Sequence, residues 1–285
     1  MRQRLDRLLH DPHRLALGLT LAALALRLWG VGAHSYWSDE GGEVWVATVP
    51  WPDVLFNTSN PDPPLLRLLL AVLARLSLAE AVLRLPSVLF GAAAVYLMYR
   101  WWADLDAPGL GLTAAALLAL APVSVYYSQE VSQYTLAIFM ALALIVTYDR
   151  AGRLGRPRDW VYAALASIGA LYSYYGVALL FPLLEIRLLW QTWRQRSRPR
   201  LIGYLAFHVV LGLALAVLLV VFFLPQARYQ ASMENAPRRW AADQAYLSAL
   251  IRGRTPVDDR LRQPGMAQAH AANLAAAKSG PPPGR

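Results

Sequence analysis

Three carboxylates crowd the stretch SYWSDEGGEVWVA: Asp39, Glu40 and Glu43. They come immediately after a long apolar run. A carboxylate there can take a proton from an attacking hydroxyl, hold a cation, pair with an arginine or keep a surface wet. On a helix beginning near Ser38, Asp39 and Glu43 share a face, as do Glu40 and Glu43. Acids in a first helical turn also complement the helix dipole, so a capped interfacial helix is the plain structural alternative. Asp62 follows in NPDPPLLRLLL, where the prolines set an extended entry into a helix. Arg84 stands in AEAVLRLPSVLF with Glu80 four residues before it. It reads either as an arginine snorkelling to lipid headgroups or as a planar fork reserved for a phosphate. In VYYSQEVSQY, Glu130 and Tyr134 lie in a tight hairpin with Tyr126, Tyr127 and Gln129. Each tyrosine alone fits an interfacial aromatic belt, as do Tyr172, Tyr174 and Tyr175 in LYSYYG. An acid in a tight hairpin between spans tends to face a partner or a cavity. The five histidines show no zinc spacing, and with no cysteine there is neither a disulfide nor a thiolate site.

The elements that must position these residues are apolar helices. Of the 285 residues 57% are hydrophobic and 16% charged, and the apolar ones fall in blocks near the length that crosses a ~30 Å hydrocarbon core. An all-α polytopic membrane protein is expected, with spans near 14–32, 84–100, 109–127, 133–148, 159–175, 177–190 and 202–224. The net charge of +9 lies in Arg clusters between these blocks, the pattern of cytoplasmic loops rather than of a nucleic-acid surface. An eighth apolar run at 65–79 is short and carries Arg67 and Arg75, each costing ~2.5–3.5 kcal/mol at a bilayer centre. It is expected to lie in the outer interface, which leaves seven spans and an N-terminus inside. Residues 1–225 then form the transmembrane core, with 33–83 as the first outer loop. The conspicuous acids and tyrosines gather on the outer face. Small residues in GVGAH invite a signal-peptide cleavage reading, which Arg27 within the apolar run argues against. From 226 to 285 a polar, outer-face tail is expected, disordered or aberrant, standing in for a longer chain lost by truncation or frameshift.

Taken in order, SYWSDEGGEVWVA, NPDPPLLRLLL, EAVLRLPSVLFG, SVYYSQEVSQYTLA and GALYSYYGVALL resemble the GT-C membrane glycosyltransferases. The likeness is greatest to the branch with protein O-mannosyltransferases and lipid A aminoarabinose transferases, and it runs from about residue 14 to 225. Three positions depart from the pattern. Asp62 replaces the usual His before Pro-Pro, Ser132 a frequent Arg, and Tyr174 a frequent His. Members are also typically much longer.

The resemblance implies a hexosyl- or pentosyltransferase that moves a sugar, with inversion, from a polyprenyl-phosphate donor to a lipid, glycan or protein acceptor on the extracytoplasmic side. It implies a multi-pass protein whose partners are membrane lipids and these substrates; the Arg-rich, Lys-poor, cysteine-free composition is associated with a bacterial inner membrane, and the charge placement leaves no role for nucleic acid. Asp39 takes the role of catalytic base, and Glu40 and Glu43 orient the acceptor or Asp39. Arg84 steadies the departing phosphate. Asp62, Glu130, Tyr134, Tyr172 and Tyr175 bind substrate, and the helix at 65–79 seats the lipid chain. No cofactor is required, though a divalent cation at the acids is compatible with the scheme. The competing readings are a non-catalytic truncated core and a lipid or sugar transporter or flippase.

Overall fold

The computed structural model describes residues 11–56, 62–195 and 197–234, and among these it is helical with no strand. The helices are α1 Pro12–Leu28, α2 Ser38–Thr48, α3 Trp51–Leu55, α4 Pro64–Ala74, α5 Glu80–Ala103, α6 Pro108–Leu120, α7 Pro122–Ser128, α8 Tyr134–Leu154 and α9 Pro157–Ser173. A 3₁₀ segment, Tyr175–Leu180, leads into α10, Phe181–Gln195. Then come α11, Arg198–Val217, a π segment, Leu218–Phe223, and α12, Leu224–Glu234. Proline opens the first turn of α1, α4, α6, α7 and α9. There its missing N–H costs nothing and its fixed φ suits a helix. Asp11 caps α1 by accepting from the amide of His13 at 3.0 Å. Gly155 ends α8 with φ 64°, and the Arg200 guanidinium occupies the space a Cβ would fill.

Residues through Arg228 form one compact unit; of the second, Tyr229–Glu234 are described and are helical. The expected tail therefore begins as helix, and its remainder, 235–285, lies outside the described residues. Helices occupy all seven predicted span positions. By length and composition three are long and apolar enough to cross a membrane: Glu80–Ala103, Tyr134–Leu154 and the continuous run Arg198–Ala231. A fourth arises if α6 and α7, bent by 59°, count as one broken span. The others are shorter. α1 and α9 have 17 residues each, about 26 Å at 1.5 Å per residue. α10 carries Glu185, Arg187 and Arg194. The eighth run becomes α4, only 11 residues long. Arg75 donates to the carbonyls of Ala47 and Ala71 and lies over the Trp51 ring at 4.1 Å.

Three cores hold the bundle. α1, α5 and α6 meet through Ala16, Ala23, Ala115 and Ala119 around Tyr99 and Val95, small residues that let helices approach closely where lipid offers no hydrophobic drive. α8, α9, α10 and α11 close on Tyr148, Trp160, Leu188 and Phe207. Within this group Glu185 accepts from the Tyr148 hydroxyl and lies 3.0 Å from His208 Nε2. α2, α4, α5 and the α7–α8 hairpin share Ala47, Leu66, Leu70, Leu83 and Val131.

Arg27, fully buried, explains the broken span. Pro122 has no N–H, so the carbonyl of Leu118, four residues earlier, loses its helical partner, and the bend strands Ala119 as well. Arg27 Nη2 donates to Leu118 at 3.2 Å and Nη1 to Ala119 at 3.1 Å. Its remaining donors reach Ser128 Oγ, Ser124 Oγ and the Ala23 carbonyl. Gly91 leaves room for this clasp, since a Cβ there would lie 2.2 Å from Ser128 Oγ. Replacing Arg27 by Met strands two buried carbonyls at about 1–3 kcal/mol each. The expected result is a lower apparent Tm in detergent for both Arg27→Met and Gly91→Ala. Unchanged melting would show that water, not Arg27, satisfies the break.

Candidate functional site

The loop after α1 and the start of α2 are tied to α5 by one buried pair. Glu40 is 1% exposed and Arg84 4%. Arg84 Nε donates to Glu40 Oε1 at 2.9 Å and Nη2 to Oε2 at 2.7 Å. The other guanidinium hydrogens go to the carbonyls of Val31 (2.7 Å), His34 (2.9 Å) and Ser35 (3.5 Å). That accounts for all five N–H donors an arginine has. Glu40 is equally committed. Its Oε1 also accepts from the Val131 amide at 2.7 Å, and its Oε2 from the Trp37 amide at 3.4 Å. Burial alone would raise the Glu40 pKa, but the Arg84 guanidinium and the two amides outweigh it and hold the carboxyl below its ordinary value.

Beside this pair opens a polar cavity of about 350 Å³, lined by Asp39, Glu43, Asp62, Glu130 and Tyr134 together with the inner side of Glu40. Four separate segments supply the lining. α2 presents its first-turn acids, the residue before Pro63 contributes Asp62, and the α7–α8 hairpin and the start of α8 give Glu130 and Tyr134. Asp39 is exposed and Glu130 is buried, the latter within electrostatic reach of the Tyr126 hydroxyl. The Tyr134 ring packs on Tyr127 at 4.6 Å and on Tyr174 at 6.3 Å. Gln133 donates to Asp62 Oδ1 at 3.3 Å. The Asp62 carbonyl accepts from Arg67 Nη2 and, at 3.1 Å, from Gln226 Nε2. Burial raises the Asp62 pKa, against the nearby Arg67 charge. Among the described residues no three His, Cys, Asp or Glu side chains are gathered as a metal site.

The structure sorts the residues expected from sequence. Asp39, Glu43, Asp62, Glu130 and Tyr134 do converge. Glu40 reaches the cavity wall, but its carboxylate serves Arg84 and two amides. Arg84 lines not this cavity but an adjoining one of about 350 Å³ that shares Trp37, Glu40 and Glu130 with it, and all five of its N–H donors are engaged within the protein. Its ion pair is with Glu40, not with the Glu80 that helical spacing offered. Tyr172 lies apart from the lining of this cavity. Its hydroxyl donates to the Ala214 carbonyl at 3.0 Å and its ring meets Phe222, so it packs α9 on α11. Tyr175 is joined to the site through Gln226, to whose Oε1 it donates at 2.9 Å, and lies within electrostatic reach of Arg67 and Asp62.

Sequence reasoning missed Arg67 and Gln226. Arg67 is 1% exposed and lies within electrostatic reach of Glu43, Asp62 and Tyr175. An arginine three residues after Pro64 in an apolar helix is the available signal, beyond its cost in lipid. Gln226 follows the last apolar run and carried no motif.

Residues 61–223 match the family described as dolichyl-phosphate-mannose-protein mannosyltransferases, more than half of the chain. The matched stretch holds Asp62, Arg84, Glu130 and Tyr134 and begins after the acids of α2. No individual curated protein matches the chain.

Breaking a buried pair strands the surviving charge, at about 3–5 kcal/mol. Glu40→Gln and Arg84→Met should each lower the apparent Tm, and the double variant should lose much less than their sum. Additive losses would mean that the two side chains act independently. Since the folded Glu40 pKa is depressed, its contribution is present above the unfolded value of about 4.3 and is lost as pH falls through the folded value. The wild type should therefore lose thermal stability in that acid window more steeply than Glu40→Gln.

Proposed function

The chain belongs to the dolichyl-phosphate-mannose-protein mannosyltransferase family and is a membrane glycosyltransferase of the GT-C type; from that premise we propose that it moves a sugar, with inversion, from a polyprenyl-phosphate donor to a hydroxyl acceptor at the polar cavity beside Glu40. The observation that carries the reading is the convergence of Asp39, Glu43, Asp62 and Glu130, from three segments, on one polar cavity in an otherwise apolar bundle.

The chemistry needs one base. The acceptor oxygen attacks the anomeric carbon from the face opposite the phosphate. The bond from that carbon to the phosphate oxygen breaks, its electron pair leaves with the lipid phosphate, and the acceptor proton passes to a carboxylate. A lipid phosphate departs without being protonated, so a second carboxylic acid is unnecessary. Asp39 is the proposed base, exposed at the cavity edge in the first turn of α2. Glu43, Asp62 and Glu130 accept hydrogen bonds from sugar or acceptor hydroxyls, and Tyr134 offers a ring to a sugar face. Glu40 and Arg84 are positioning residues that set the angle of α2. Arg67, buried behind Asp62 and Glu43, offsets part of the negative charge of the lining and takes over the electrostatic role first given to Arg84. We place the cavity on the extracytoplasmic side, because the Arg-rich segments 150–158 and 194–200 belong to the opposite ends of the helices.

Asp39→Asn should abolish transfer of radiolabelled sugar from a polyprenyl-phosphate donor, about 10²–10⁴-fold, with expression and membrane insertion unchanged. Activity equal to wild type would remove Asp39 as the base. Because the scheme calls on no cofactor, activity should persist in EDTA. Loss on chelation, restored by magnesium, would instead assign charge neutralisation at the acids to a divalent cation.

A further inference from the structure

At the far end of the continuous run Arg198–Ala231 from Gln226, the first turn of α11 stands between two clefts. One, of about 510 Å³, lies between α9 and α11 and is lined by Trp160, Ala164, Gly203, Phe207 and Val210. The other, of about 380 Å³, lies between α10 and α11 and is lined by Leu189, Thr192, Trp193, Leu201 and Tyr204. Arg198 lines both. It is exposed and takes part in no ion pair among the described residues. Ser197, the cap of α11, makes no side-chain hydrogen bond to the first turn, so that helix end keeps its affinity for an anion.

Each cleft also contains a buried polar atom without a partner. Trp160 is 5% exposed and its Nε1 is unsatisfied, as is Oγ1 of Thr192, also 5% exposed. Trp160 Nε1 packs directly against Gly203 at the edge of the first cleft, where an added Cβ would lie 2.4 Å away. An acyl chain accepts no hydrogen bond, so these enclosed atoms leave the charge of Arg198 and the open first turn of α11 as the polar part of the site.

We propose that this is a binding site for a diacyl phospholipid with an anionic headgroup. The phosphate sits on Arg198 and the open first turn of α11, and one acyl chain descends in each cleft. The pair of clefts is what selects the ligand. A polyprenyl phosphate brings the same charge on a single chain and would leave one cleft empty, whereas a zwitterionic lipid fills both clefts and brings no net charge to the arginine. The bound lipid would brace α9, α10 and α11 against one another, at the end of the bundle away from the polar cavity.

The test uses the full chain, purified in detergent, titrated separately with dioleoylphosphatidylglycerol, dioleoylphosphatidylcholine, lysophosphatidylglycerol and undecaprenyl phosphate, with bound lipid counted by native mass spectrometry. Phosphatidylglycerol should be retained over phosphatidylcholine. Arg198→Gln, at an exposed position, should weaken phosphatidylglycerol about fivefold and leave phosphatidylcholine unchanged. Ala164→Phe, which fills the first cleft, should weaken the diacyl lipid and spare the single-chain one. Equal retention of the two diacyl lipids, insensitivity to Arg198→Gln, or displacement of phosphatidylglycerol by undecaprenyl phosphate would each overturn the proposal.

Discussion

The bidentate bond between Glu40 and Arg84 is the constraint on which the site depends. Two charges at 1% and 4% exposure are tolerable only when every lone pair and proton between them is satisfied. Satisfying them recruits the carbonyls of the α1–α2 loop, the first amide of α2 and an amide of the α7–α8 hairpin. Three segments far apart in sequence, residues 31–40, the start of α5 and the α7–α8 hairpin, are thereby fixed to one point. With Glu40 turned inward at about 100° per residue, Asp39 and Glu43, one turn apart, fall on the same flank of the inward face. Both therefore border the cavity. The acids are adjacent because one anchors the helix and its neighbours face the space beside it.

Arg27 works by the same rule one layer deeper. A broken helix inside an apolar bundle must have its freed carbonyls satisfied by protein, since lipid offers no donor. Arg27 supplies them, and in doing so lets α6 and α7 bend by 59° so that the chain reaches the hairpin at the right place. Gln129 adds to this by donating to the carbonyls of Arg27 and Trp29 at the end of α1. Glu130 comes next in sequence. It is thus held between two arginines, each of which spends all five of its donors on structure.

What was legible in the sequence was whatever depends on local order. The helix positions follow from apolar blocks and first-turn prolines, the shortness of α4 from its length and its arginines, and the gathering of Asp39, Glu43, Asp62, Glu130 and Tyr134 from ordered motifs. Partner choice was not legible. Spacing offered Glu80 to Arg84, and only the folded chain reveals that Glu40, 44 residues away, takes it. Arg27 read as a reason to doubt a signal peptide, because the carbonyls it serves lie some 91 residues on. Tyr172 shared a motif with Tyr175, but three residues along a helix that ends at Ser173 turn its hydroxyl to Ala214 instead.

The cavity lining is acidic, with no Lys or Arg among its residues. That favours some contacts over others. Carboxylates accept hydrogen bonds from hydroxyls well, so a sugar and a hydroxyl acceptor suit this wall, whereas a phosphate dianion placed against it would be repelled. On the proposed reaction the phosphate must then lie at the edge, with only the anomeric carbon brought to the acids. Such an arrangement keeps the charge that grows on the leaving oxygen away from the remaining carboxylates, while the acceptor proton neutralises the base. Arg67 tempers the effect without abolishing it, because its charge sits behind Asp62 and Glu43 rather than in front of them. Burial raises the Asp62 pKa in the same field, and a carboxyl that holds a proton can donate to a ring oxygen or hydroxyl. The usual histidine before Pro-Pro is a residue that both donates and accepts; a carboxyl with a raised pKa regains part of that dual capacity.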